Sequence, residues 1–414
     1  MTQLRPLQPQ LIGAVFRVPR PLGIRRVTRL LRRVPLPLRG AARLLVRLWY
    51  SPLTPKTKFL LISLFASMTL LGLAEAGDVL VAPTDGDARP ALAYLFSDHA
   101  RPSAVSLPLL QDPAGLIVLA VVFVTPIFYC QQVRAIADFV PMNERNGGAA
   151  HLSARQIQQH NRLVARTNRS FTTLGRRGVS VAIMTVVAVG TVLLFAFVNA
   201  YGLMETWNST MLPDAVWRSE VYSGWWANLH THPELALTLC ASGTYAFYFL
   251  TKQLAMGVVF TIYLKRSAAL GFGVTPNMTF DSDGFRGLRT LRQFMLWTYG
   301  SALAHMIGLL ALSLVWLPAS PWMLFVVVGV MVVDTVVIIY PSSIGYHSAL
   351  AVKESYVRSL RPTELSSADR DAAIAQVWSV PVLPVATRKA ITGLTLYLLV
   401  PAVVALVPEV IQRL

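Results

Sequence analysis

Seven apolar runs of 18 residues or more punctuate this chain, near 59–76, 114–131, 179–201, 236–264, 294–317, 322–341 and 390–408. A helix inside a soluble domain averages about 11–12 residues, whereas crossing the hydrocarbon of a bilayer takes about 20 apolar ones. In hydrocarbon every backbone N–H and C=O must be satisfied internally, which leaves helices or closed barrels. Unbroken apolar runs, rather than alternation with period two, select helices. The expected fold is therefore all-α: a polytopic transmembrane helix bundle of about seven spans. Only 14% of the residues are charged and 54% are hydrophobic, against roughly 25% charged in an average soluble domain.

The net charge of +17 invites a nucleic-acid reading, but its distribution argues against one. Basic residues sit before the first apolar run and between later ones, as the positive-inside rule places them. Segment 77–113 has two basic and five acidic residues, and 132–178 has eight and two. Segment 202–235 has one and four, 265–293 five and two, and 342–389 six and four. This alternation predicts the basic segments on the cytoplasmic side and the acidic ones outside. An odd number of spans then leaves the C-terminus outside. A bacterial-type plasma membrane is the expected location, with a mitochondrial membrane as the minor alternative.

Three regions follow. Residues 1–58 form an arm with thirteen basic residues and no Asp or Glu. Within it, Arg25, Arg26, Arg29, Arg32 and Arg33 take one helical face, opposite Ile24, Val27, Leu30, Leu31 and Val34. That pattern suits an amphipathic segment lying among anionic lipid headgroups. Residues 59–408 form the transmembrane domain, and 409–414 a short tail. Segment 202–235 carries Trp207, Trp217, Trp225 and Trp226, and tryptophan favours the membrane interface. Residues 151–170 are polar and helix-compatible. Lys252, inside the fourth run, reads as a side chain snorkelling to the inner interface.

Ionisable residues at mid-membrane are costly and face the bundle interior. His305 and Asp334 stand out, on the fifth and sixth runs. Each lies about 14 residues from the turn joining those runs, hence roughly 20 Å along its helix. Equal depth would let the two pair, either as a proton or cation site or as a hydrogen-bonded lock between helices. Tyr245, Tyr248, Thr298, Tyr299 and Thr335 could line a path beside them. Pro126, Pro341 and Pro401 interrupt apolar runs, and each frees a backbone carbonyl.

Other motifs carry little. Asp281-Ser282-Asp283-Gly284 opens like a calcium loop but lacks the closing glutamate. His230-Thr231-His232 has no further ligands of metal-site spacing. No P-loop, GxSxG or HExxH pattern occurs, so no metal, cofactor or catalytic residue is assigned, and a membrane enzyme is the weakest reading. The best-supported expectation is proton- or cation-coupled transport or channel activity near His305 and Asp334. The alternative is a non-catalytic membrane scaffold, sensor or accessory subunit. The expected partners are the bilayer and its anionic headgroups, with other membrane subunits or self-association under the alternative.

Overall fold

The computed structural model describes residues 4–9, 54–81, 108–145, 152–201, 224–273, 289–311, scattered positions from 329 to 358, and 366–379. Seven helices and no strand occur among them. They are α1 (Pro55–Ala76), α2 (Pro113–Arg145), α3 (Ala154–Gly175), α4 (Arg177–Tyr201), α5 (Pro233–Ala269), α6 (Arg289–Ala311) and α7 (Ser367–Ser379). Four are long and apolar enough to cross a membrane: Lys56–Ala76, Gly115–Arg145, Arg177–Ala196 and Pro233–Ala269. These correspond to the first four expected runs, with the second and fourth longer than their apolar stretches. Helix α6 covers the described part of the fifth run. The seventh run, most of the sixth and Arg25, Arg26, Arg29, Arg32 and Arg33 of the basic arm lie outside the described residues.

Ring contacts set the helix directions. Tyr129 meets Phe249 at 5.6 Å between centroids, and Phe139 meets Phe260 at 5.3 Å. Helices α2 and α5 therefore run parallel. Phe59 meets Phe249 at 4.8 Å, and the hydroxyl of Tyr245 donates to the Phe59 carbonyl at 3.5 Å. Ala74 lies at the opposite end with Leu235, so α1 is antiparallel to α5. Helix α6 is antiparallel to α2, since Asn143 donates to Thr290 and Gln132 to Thr298. Gly300 lets α6 approach α2 closely, because a Cβ there would meet the Phe128 ring at 3.2 Å.

Helix α5 has 37 residues, about 55 Å at 1.5 Å per residue, against about 30 Å of hydrocarbon. Helix α2, with 33 residues, runs parallel to it. Both are longer than such a thickness requires, and their C-terminal ends lie together. There α3, whose apolar and polar faces are sharply separated, lays His160, Leu163, Val164, Thr167 and Phe171 against them. Ser153 starts α3 with a capping box, its side chain accepting from Gln156 N and Gln156 returning to Ser153 N. The other end has its own core of Leu70, Ala74, Leu109, Trp225, Trp226, Leu235 and Leu239.

Val181, Val186, Val189, Val192 and Leu193 stand exposed on α4. An apolar stripe of that size is a liability in water but ordinary against lipid tails.

The chain leaves α5 through Gly273, whose φ is +90°. A Cβ there would come within 2.7 Å of Cε1 of Phe139. Gly273→Ala is therefore expected to destabilise the protein by roughly 2 kcal/mol or more, from left-handed strain plus overpacking. Unfolding in detergent measures this, and an unchanged midpoint would refute the close packing of the α5 exit against α2.

Candidate functional site

Helices in hydrocarbon must satisfy their polar groups on each other, and most here do. Pro126 has no N–H, so the Val122 carbonyl loses its helical donor. The buried Ser63 hydroxyl of α1 supplies one at 3.2 Å. The proline thus joins two helices rather than exposing a carbonyl to a ligand. Tyr245 sits in the same place, within 3.5 Å of the Ser63 hydroxyl.

Asp112, which precedes the first residue of α2, is fully buried. Its Oδ2 accepts from the indole N–H of Trp226 at 2.8 Å and of Trp225 at 3.2 Å. The negative carboxylate also faces the positive end of α2. Trp225 and Trp226 are buried within the protein as donors to this carboxylate.

Lys252 departs from expectation. It does not snorkel to water: it is buried, donating to the Leu174 carbonyl and to Ser180 Oγ at 2.8 Å. Leu174 belongs to the last turn of α3 and Ser180 to the first turns of α4. The ammonium therefore caps the negative end of one helix and ties the α3–α4 corner to α5. It lies 5.9 Å from the centroid of the buried Tyr248 ring.

One layer is not satisfied. Gln132 on α2 is 1% exposed and Gln253 on α5 is 2% exposed. Gln132 lies one turn beyond Tyr129, and Gln253 one turn beyond Phe249. The contact between those rings therefore brings the two amides level. Gln132 Nε2 donates to Thr298 Oγ1 at 3.3 Å, and Thr298 in turn donates to the Phe294 carbonyl. Gln132 Oε1 and both amide atoms of Gln253 have no hydrogen-bond partner. Ser301, one turn along α6 from Thr298, is buried too.

Of the residues expected to line a path, Thr298 belongs to this layer, and Tyr299 is packed against the same core. Position 305 lies two turns beyond Thr298 in α6. Asp334 and Thr335 lie outside the described residues. Gln132 falls just past the apolar run that ends at 131 and Gln253 stands beside Lys252, so neither marks a site in sequence. Their burial became visible only with the helix register.

A second buried polar pair joins α3 to the C-terminal part of α5. His160 of α3 is completely buried, its Nε2 2.9 Å from the Tyr263 hydroxyl. Its Nδ1 has no partner, and the Phe272 ring lies 4.4 Å away. Burial pushes the imidazole pKa down to about 4, so the ring is neutral at physiological pH.

No protein-family model, curated protein or solved structure matches the chain. Functional inference therefore rests on the polar groups themselves.

The His160 geometry has a pH signature. An unfolded histidine takes up its proton near pH 6.5 and the folded one only near 4. Between those values the unfolded state holds more protons, so stability is full above the window and falls as pH drops through it. The expected slope approaches about 1.4 kcal/mol per pH unit. Thermal unfolding measured from about pH 7 down to about pH 4.5 checks this. His160→Gln is expected to remove much of the acid-side slope, and a wild-type midpoint that does not move would refute the neutral buried imidazole.

Proposed function

We propose that this chain is an integral membrane protein that conducts protons or a small monovalent cation along a hydrated polar track between α2, α5 and α6. The observation that carries the reading is the pair of buried glutamines with three unpartnered amide atoms. Each unsatisfied polar group costs about 1–3 kcal/mol, and more where hydrocarbon surrounds it. Three at one level persist when water or an ion meets them. Amide and hydroxyl oxygens from Gln132, Gln253, Thr298 and Ser301 suit water or a weakly bound cation. A bound water chain passes protons from oxygen to oxygen.

The track needs a titratable step to couple movement to proton concentration. His305 follows Thr298 by two turns on α6, and Asp334 is its candidate partner at similar depth. In this reading the basic arm and basic segments face the cytoplasm, seven spans cross a bacterial-type plasma membrane, and the C-terminus lies outside. The arginines at 25, 26, 29, 32 and 33 hold the arm on anionic headgroups.

Proteoliposomes with an internal pH dye test the reading. An imposed potential is expected to drive proton or cation flux, and Gln253→Leu to reduce it about ten-fold or more by breaking the water chain. Asp334→Asn is expected to abolish its pH dependence. If the reconstituted wild type moves neither protons nor monovalent cations, the transport reading fails and the scaffold or subunit role takes its place.

A further inference from the structure

Residues 4–9, Leu-Arg-Pro-Leu-Gln-Pro, lie extended along α3. Leu4 and Leu7 are 6% and 2% exposed and belong to the same core as Leu163, Val164 and Phe171. Arg5, Pro6 and Gln8 face outward. Burial therefore recurs every third residue, which is the period of a polyproline-II helix and not the period of two of a strand. Pro6 and Pro9 favour that backbone by fixing φ and removing two N–H groups.

The contacts from α3 are to the backbone of this segment. Asn161 Oδ1 accepts from Arg5 N at 2.8 Å, and Asn168 Oδ1 from Gln8 N at 2.8 Å. Asn168 Nδ2 also donates to the Pro6 carbonyl at 3.2 Å, so one amide side chain clamps a carbonyl and an N–H two residues apart. The spacings match. Asn161 and Asn168 are two helical turns apart, about 10.5 Å. Arg5 and Gln8 are one polyproline-II turn apart, about 9.3 Å.

A groove that takes two leucines and reads a main chain through two asparagines recognises a pattern, Leu-x-Pro-Leu-x-Pro. We propose that α3 carries a docking groove for such a segment, and that residues 4–9 of the same chain are its resident, exchangeable occupant. The segment is a strap and not a structural strand. Its hold on α3 comes from two apolar anchors and three hydrogen bonds. A segment of the same pattern supplied from outside competes for the same groove. This inference does not depend on the transport reading.

Two full-length variants test it. Leu4→Asp/Leu7→Asp charges both anchors and should vacate the groove. A fluorescent peptide of residues 1–10 is expected to bind this variant saturably, about ten-fold or more tightly than the unsubstituted chain, where the tethered strap competes. No saturable binding to the folded variant would overturn the proposal. Should that variant not fold, Asn161→Ala/Asn168→Ala decides. Hydrogen exchange at Arg5 and Gln8 is expected to quicken about ten-fold or more, with protection in α2 and α5 unchanged. Unaltered exchange at those amides, or protection lost throughout α2 and α5, would each overturn it, the latter by making the segment a fixed part of the core.

Discussion

The length of α5 organises this protein. A helix of 37 residues cannot fit within about 30 Å of hydrocarbon, and its last turns are too apolar to stand bare in water. Phe260, Tyr263 and Leu264 would be exposed if α5 projected alone. They are covered instead by the parallel C-terminal part of α2 and by the amphipathic α3. Lys252 sits where α3 turns into α4 and binds that corner. The same ammonium thus fixes where the apolar α4 begins and how the polar α3 is laid on α5. Leu4 and Leu7 extend this covering layer beyond α3 itself.

Most polar groups within the bundle follow one rule, and the Tyr248 hydroxyl and the glutamine layer depart from it. A freed carbonyl at Val122 is met by Ser63, a buried carboxylate at Asp112 by two indoles, and a buried ammonium at Lys252 by a helix end. Each is satisfied by a neighbouring element, so each locks a pair of elements together. The glutamine layer between α2 and α5 breaks the rule, with three amide atoms left over. Polar groups that only cement helices have no reason to retain unused donors and acceptors at such a cost. That contrast separates the layer from the other buried polar contacts and makes it the place to look for a ligand.

How much of this was legible in the sequence depends on what kind of signal each feature leaves. Apolar run length located α1, α2, α4 and α5, because hydrocarbon thickness imposes a minimum on contiguous hydrophobicity. The polar stretch near 151–170 reads in sequence as helix-compatible and as an extension of the membrane helices, but it is the separate helix α3, with its own caps and a buried face. Side-chain destinations were harder. Lys252 looked like a snorkelling anchor because a lysine near a span end normally reaches water, and nothing local announces that the end of α3 waits for it. The burial of Trp225 and Trp226 was equally hidden, since their partner Asp112 is over a hundred residues away. Gln132 and Gln253 carry no charge to mark them, and only helix register brings them level. Residues 4–9 give no signal in sequence, because two leucines three apart among prolines are too short a pattern to fix a period.

The expected His305–Asp334 site and the glutamine layer need not compete. Neutral amides cannot bind and release a proton across the physiological range, but they can hold the water through which a proton moves. A histidine or an aspartate can change charge there, yet in hydrocarbon it does so only if the charged form is stabilised nearby. Thr298 connects the two ideas, accepting from Gln132 while standing two turns before position 305 on the same helix. A wet layer of amides and hydroxyls beside a titratable residue lowers the desolvation penalty on that residue's charge. The physical case for a coupled site therefore rests less on the ionisable residues alone than on the uncharged ones that hydrate their surroundings.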